Sequence, residues 1–293
     1  MAWTLVLPAV LALLTGIVAA RVHHRLRPSL ATAGLAALAV TAVIGVVGAL
    51  AMVALVFLGE IPWLADRLAW CLSISGDHNV PTVAGGIALV GLGAMAAAGT
   101  LRMRRLRATA AVGDEGPVVI LPTPHPTAFA VPGRPGHVVV SQGMLRGLDP
   151  DERRVLFAHE RAHLRREHHR YVWISEVAAA ALPVLRPLRR AVRLSTERWA
   201  DEDAAAEVGD RRLVARAICR AALVQHDTAT SRGLSMAGPD VSRRVEALLG
   251  RPDRGGLTFG LLTGVTMLGV ALAASTVQLH HLAVLAAHLC GGA

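Results

Sequence analysis

The sequence predicts a multi-pass α-helical membrane protein with a cytoplasmic α+β domain inserted between its third and fourth spans. Three observations predict it. The 293 residues are 53% hydrophobic and only 17% charged, with a mean hydropathy of +0.48, which is not the composition of a soluble chain. Four uncharged runs approach or exceed the ~20 apolar residues that a helix needs to cross a ~30 Å hydrocarbon core. Between the third and fourth runs lies a polar stretch with room for one compact core.

The four runs are residues 2–20, 30–58, 80–101 and 257–279. The first has no charged segment ahead of it and Arg21 comes after it, so it reads as a span and not as a cleaved signal peptide. Orientation follows from the arginines, since basic residues near span ends resist translocation. Arg21, Arg25 and Arg27 follow the first run without an acid; Glu60, Asp66, Arg67 and Asp77 lie between the second and third; Arg102, Arg104, Arg105 and Arg107 follow the third. This places both termini outside and residues 102–256 in the cytoplasm. The expected parts are therefore 1–101 with three spans, 102–256 as the cytoplasmic domain, and 257–293 as the fourth span with a short extracytoplasmic tail. The net charge of +9 is a topology signal and a contact with anionic lipid, because ten aromatics are too few for nucleic-acid stacking platforms and no direct nucleic-acid partner is expected. Cys71, Cys219 and Cys290 are too scattered for a metal or redox motif. Cys219 is expected in the core, and Cys71 and Cys290, both outside, are free to pair.

The insert begins as β. Short apolar runs at 118–121, 128–131 and 137–141 are separated by Pro122, Pro124, Pro126, Pro132, Gly133, Pro135 and Gly136. Asp149 followed by Pro150 and Glu152 forms a helix start with a capping box, and a long helix is expected from there to Tyr171 or beyond. The apolar stretch from Tyr171 to Leu185 reads as a buried or interfacial helix. Further helices are expected over 188–208 and 211–226.

The first of these helices carries His159-Glu160-Arg161-Ala162-His163. Residues four apart share a helix face, so both imidazoles reach one tetrahedral zinc, with Glu160 beside the open coordination position. With 13 histidines in the chain, about 0.02 such matches are expected by chance. A hydrolytic zinc site needs a third protein ligand. His169 would serve if the motif ran on as H-E-x-x-H-x-x-G-x-x-H, but Arg166 stands at the glycine position, and a helix continuing through it carries His169 to another face. His168 and His169 are then ordinary polar residues. Glu197 is the better candidate: Glu197 and Asp201 again share a face, so the first can bind the ion and the second steady the site. The pattern implies peptide-bond hydrolysis by one Zn2+ per chain, with His159, His163 and Glu197 on the metal and Glu160 as general base. The segment from Ala128 to Ser141 offers a strand edge for an extended substrate, or is simply an edge of the core.

Three spans, an H-E-x-x-H domain with a downstream E-x-x-x-D, and a fourth span resemble the BlaR/MecR-type membrane metallopeptidases, which are gluzincins. The stretch Ala128-Phe129-Ala130-Val131-Pro132-Gly133, followed by Val138-Val139-Val140-Ser141 and Leu145, is similar to the segment ahead of the zinc helix in these proteins and in the related HtpX and CAAX-type proteases. The resemblance covers the architecture and residues 126–205 at motif level, and implies a zincin-like metalloprotease domain. Residue by residue it puts His159, His163 and Glu197 on zinc, Glu160 as base and Asp201 in support. It implies a cytoplasmic winged-helix repressor as substrate and a signalling role, and leaves a homodimer open. Thr127 stands where family members often have Asn, and a penicillin-binding sensor domain after the last span is not expected. Two other readings share the ligands: an HtpX-like quality-control protease, which usually has two spans before the motif, and a non-enzymatic transducer with a structural zinc.

Overall fold

A computed structural model describes residues 2–59, 61, 81–110, 116–228, 234–250 and 269. The expected fourth span, apart from residue 269, and Cys71 and Cys290 lie outside them. In chain order the elements are α1 (Ala2–Val22), a 3-10 turn (His23–Arg25), α2 (Pro28–Gly59), α3 (Thr82–Ala110), β1 (Val118–Leu121), β2 (Ala128–Val131), β3 (His137–Ser141), α4 (Gln142–Gly147), α5 (Pro150–Arg165), α6 (His168–Ala181), a second 3-10 turn (Pro183–Leu185), α7 (Arg186–Val208), α8 (Arg211–Thr228) and α9 (Leu234–Leu249).

Among the described residues two helices are long and apolar enough to cross a membrane, over Pro28–Leu58 and Thr82–Ala108. In each, the most apolar stretch is mostly unburied, 22% and 11% being covered by the protein itself. Apolar surface turned outward along a whole helix is what lipid contact requires. α1 packs on α2 and α2 on α3. The second of these contacts is close: a Cβ at Gly85 would fall 2.1 Å from the Phe57 ring.

The three strands match their sequence expectation. They form one sheet in the order β1-β3-β2, with β1 parallel and β2 antiparallel to β3, so β2 is an edge. β3 is buried along its length and packs through Val140 on Met144 and Leu148. The expected capping box starts α5: Asp149 Oδ1 accepts the Glu152 N–H at 2.8 Å and Glu152 Oε2 accepts the Asp149 N–H at 3.0 Å. Val155 and Ala158 then pack on Ala204 and Ala205 of α7 and Val214, Ala215 and Ala217 of α8.

The expected continuous helix through Tyr171 is not formed. α5 ends at Arg165, and Glu167 adopts the left-handed conformation with φ 51°. This placement costs a non-glycine residue about 1 kcal/mol, and two tertiary contacts hold the turn in place. Arg166 Nε donates to Asp203 Oδ2 on α7 at 2.8 Å, and its guanidinium lies over the Trp199 indole. The turn sends α6 toward the spans. There α6 and the first turns of α7 share a core with α1 and α2, made of Ala19, Leu35, Leu38, Ala39 and Ala42 against Ala178, Ala179, Leu185, Leu188 and Val192. The polar insert is thus built partly on the apolar helices. Cys219, expected inside, is exposed on α8, because the buried face of that helix runs through Val214, Ala215 and Ala217.

Asp149→Ala removes the side-chain acceptor at the head of α5 and should cost about 1 kcal/mol, read as a lowered thermal unfolding midpoint in detergent.

Candidate metal centre

The i, i+4 spacing on α5 brings His159 and His163 to one face with their Nε2 atoms 3.1 Å apart. Glu197 comes from the middle of α7, whose contact with α5 is fixed by the alanines at 158, 204 and 205. Its Oε2 lies 3.4 Å from His159 Nε2 and its Oε1 lies 3.6 Å from His163 Nε2. Ligands at 2.0–2.1 Å around a tetrahedral ion stand about 3.3 Å from one another. The three donor atoms therefore already have the mutual spacing of three corners of one site, and all lie within 4.8 Å of each other.

The ring nitrogens turned away from that point are also held. Asp201 Oδ1 is 3.0 Å from His159 Nδ1. Both Asp201 oxygens accept from Arg244 on α9, Oδ2 from Nε at 2.8 Å and Oδ1 from Nη2 at 2.7 Å, while Arg244 Nη1 is 3.1 Å from Glu197 Oε2. On the other side His163 Nδ1 lies 3.0 Å from His168 Nδ1. If His163 Nε2 takes a ligand bond, its proton sits on Nδ1 and donates to His168, which would fix the tautomer and the plane of the ring. His168 is buried, 1% exposed, and its ring packs against Trp199 at 4.8 Å between centroids.

The electrostatics follow from this packing. Burial alone would lower the His159 pKa, but hydrogen bonds and charge from Asp201 and Glu197 outweigh it and raise it to about 10. Burial lowers His163 to about 4 and, together with the nearby His163, His168 to about 3, so both remain neutral imidazoles at physiological pH. Burial opposes ionisation of Glu197, yet His159 and Arg244 keep its carboxyl well below the ordinary range. Glu160 is the exception among the acids. Buried and only partly compensated by His159, it is raised to about 7 while it accepts the backbone N–H of Ala130 on β2. A carboxyl poised near neutrality at a cleft is suited to taking up and releasing a proton.

A cleft of about 890 Å3 opens over these groups, lined by the β2 edge from Ala128 to Pro132, by the inner faces of α5 and α7, and by Ile218 and Arg244. β2 faces it with defined polarity. Ser141 N–H donates to Thr127 O, so alternate residues Thr127, Phe129 and Val131 bond to β3 while Ala128 and Ala130 turn their backbone groups to the free edge.

All five residues expected at the site thus converge. His169, the competing third ligand, packs on Trp173 at 5.5 Å and is not in the cluster. Two participants were not legible in the sequence. His168 was expected to be an ordinary polar residue, and the turn at Glu167 is what folds it back onto His163. Arg244 is one of thirty arginines, forty-three residues beyond Asp201, and no motif marks it.

Two imidazoles and a carboxylate converging in a cleft beside a protonatable glutamate define a metallohydrolase-type site. Residues 100–177, which run from the end of α3 through α6 and include His159, Glu160 and His163, match the family model of Peptidase family M48. The match supports a metallopeptidase and stops before Glu197. No curated protein and no solved structure gives a match.

His168→Ala leaves the His163 Nδ1–H without its acceptor and should weaken metal binding 10- to 100-fold, measured by competition with a zinc chelator in detergent solution.

Proposed function

We propose that the protein is a membrane-embedded zinc metalloendopeptidase that hydrolyses peptide bonds of a cytoplasmic protein. The observation that carries this reading is the convergence of His159 Nε2, His163 Nε2 and a Glu197 oxygen at tetrahedral spacing, with buried Glu160 one residue from the first histidine. The match to Peptidase family M48 supports it independently of the geometry.

When bound, zinc supplies Lewis-acid chemistry that polarises the scissile carbonyl and brings water within reach of deprotonation at neutral pH. The chain's own residues do the rest. Glu160 accepts a proton at its carboxylate and returns it to the leaving amine, and a pKa near 7 suits both directions. Asp201 and His168 keep the two imidazoles in the tautomer that presents Nε2, and Arg244 holds Asp201 and Glu197 in place. An extended substrate pairs with the outward backbone groups of Ala128 and the carbonyl of Ala130, whose N–H is held by Glu160; this sets its direction along the cleft and asks little of its side chains.

The resemblance of residues 126–205 to the BlaR/MecR-type peptidases favours a winged-helix repressor as the substrate and signalling as the role, with the active site on the cytoplasmic side and both termini outside. An HtpX-like quality-control function would use the same cleft.

Two variants separate the enzyme from a transducer with structural zinc. Glu160→Gln should keep about one zinc per chain and lose cleavage of a casein or repressor substrate by several orders of magnitude. Glu197→Ala should lose most of its zinc together with activity, as measured by metal analysis of detergent-purified protein. A Glu160→Gln protein with undiminished cleavage would remove the proposed base, and a zinc-free wild type would remove the metallopeptidase reading.

A further inference from the structure

A second cluster of charge lies where the insert meets the spans. Glu176 of α6 is buried, 1% exposed, and accepts from three arginines. Arg102 of α3 donates to Oε2 through Nη2 at 2.7 Å and Nε at 3.1 Å, and Arg189 of α7 donates to the same oxygen through Nη1 at 3.1 Å. Arg193 donates to Oε1 through Nε at 2.8 Å and through Nη2. One carboxylate offsets only one of three positive charges, so the cluster keeps a charge of about +2. The arginines are not enclosed: their side chains are 32%, 32% and 55% exposed, while Arg189 Nε is buried with no partner. On the same first turns of α7, Arg186 and Arg190 are exposed with no carboxylate partner among the described residues, the first turn has no acid, and no side chain caps the helix. Its N-terminal dipole therefore adds to the positive potential.

The height of this cluster in the membrane follows from α3. Twenty residues from Thr82 to Arg102 rise about 30 Å, the thickness of the hydrocarbon core, which puts Arg102 at its inner boundary. Beyond the cluster the turn joining α6 to α7 is apolar, and Val184 at its tip is 46% exposed. An apolar tip beyond a ring of arginines at the boundary has the layering of an interfacial element, with the guanidinium groups in the plane of the lipid phosphates.

We infer that Arg102, Arg189 and Arg193 form a binding site for the phosphate headgroup of an anionic phospholipid of the inner leaflet, with the α6–α7 turn inserted beside it. Guanidinium forks suit phosphate oxygens, and the part of each fork not spent on Glu176 is free to meet them. The inference rests on the membrane reading of α3 and not on the peptidase reading, so failure of one leaves the other standing. Arg193 also lines the catalytic cleft, which places the headgroup site at its edge.

The test reconstitutes the full chain in nanodiscs of equal phosphatidylglycerol and phosphatidylcholine, extracts it into mild detergent, and counts retained lipids by native mass spectrometry. Wild type should retain phosphatidylglycerol in preference to phosphatidylcholine, and millimolar inorganic phosphate should not displace it. Arg193→Gln, which leaves two arginines on Glu176, should lower retention about fivefold in protein that keeps its zinc and still unfolds in one cooperative transition, at a lower temperature because Glu176 Oε1 loses its guanidinium. Equal retention of the two lipids by wild type overturns the inference without recourse to any variant. Undiminished retention in a folded Arg193→Gln protein also overturns it, and displacement by phosphate reassigns the cluster to a soluble anion.

Discussion

Both oxygens of Asp201 are committed, and the site depends on where they point. Oδ1 faces His159 Nδ1, and the two oxygens together hold the guanidinium of Arg244, which in turn reaches Glu197. One buried carboxylate thereby sets the plane of a histidine on α5, fixes the neighbouring glutamate on its own helix and ties α9 to both. An ionised carboxylate at 1% exposure is tolerable only with such partners. Burial would push its proton affinity up, but the charge of Arg244 and the hydrogen bonds from Arg244 and His159 bring it below the ordinary value.

The same logic operates a second time on α6, where Glu176 gathers three arginines from α3 and α7. Around it, small residues let the helices approach closely: Ala178 and Ala179 meet Ala39 and Ala42, and a Cβ at Gly16 would stand 3.2 Å from Leu188. α7 passes through both clusters. Its first turns sit among the apolar helices with Arg189 and Arg193, and about one turn beyond Arg193 it presents Glu197 to the cleft. A single helix therefore connects the Glu176 cluster to the candidate site around Glu197, and Arg198, one residue past Glu197, donates to the carbonyl of His24 in the turn between α1 and α2.

Local pattern accounts for much of this architecture. The three strands, the capping box at Asp149, the extents of α7 and α8 to within two residues, and the placement of His159 with His163 follow from periodicity, prolines and glycines, all of which act over a few residues. The same short-range rules failed at Arg166. Without glycine the helix was expected to run on, yet Glu167 takes a left-handed conformation because Asp203 and Trp199, on a different helix, hold Arg166 in place. That one turn converts His168 from a polar helix residue into the partner of His163 and aims α6 at the spans.

The sequence by itself determined which residues can bind an ion, since the spacing of H-E-x-x-H and of E-x-x-x-D puts each pair on one helical face, and it determined that long apolar helices precede them, since about twenty uncharged apolar residues in a row must be shielded from water. Only the tertiary structure decided that the two pairs face each other across 3.4 Å and 3.6 Å, that Arg244 completes the set, and that β2 is an edge whose Ala128 and Ala130 look into the cleft. The physical reason is range. Helical phase and capping are settled by neighbours within about one turn, whereas the meeting of α5, α7 and α9 depends on contacts between side chains more than thirty residues apart, which leave no periodic trace in the chain.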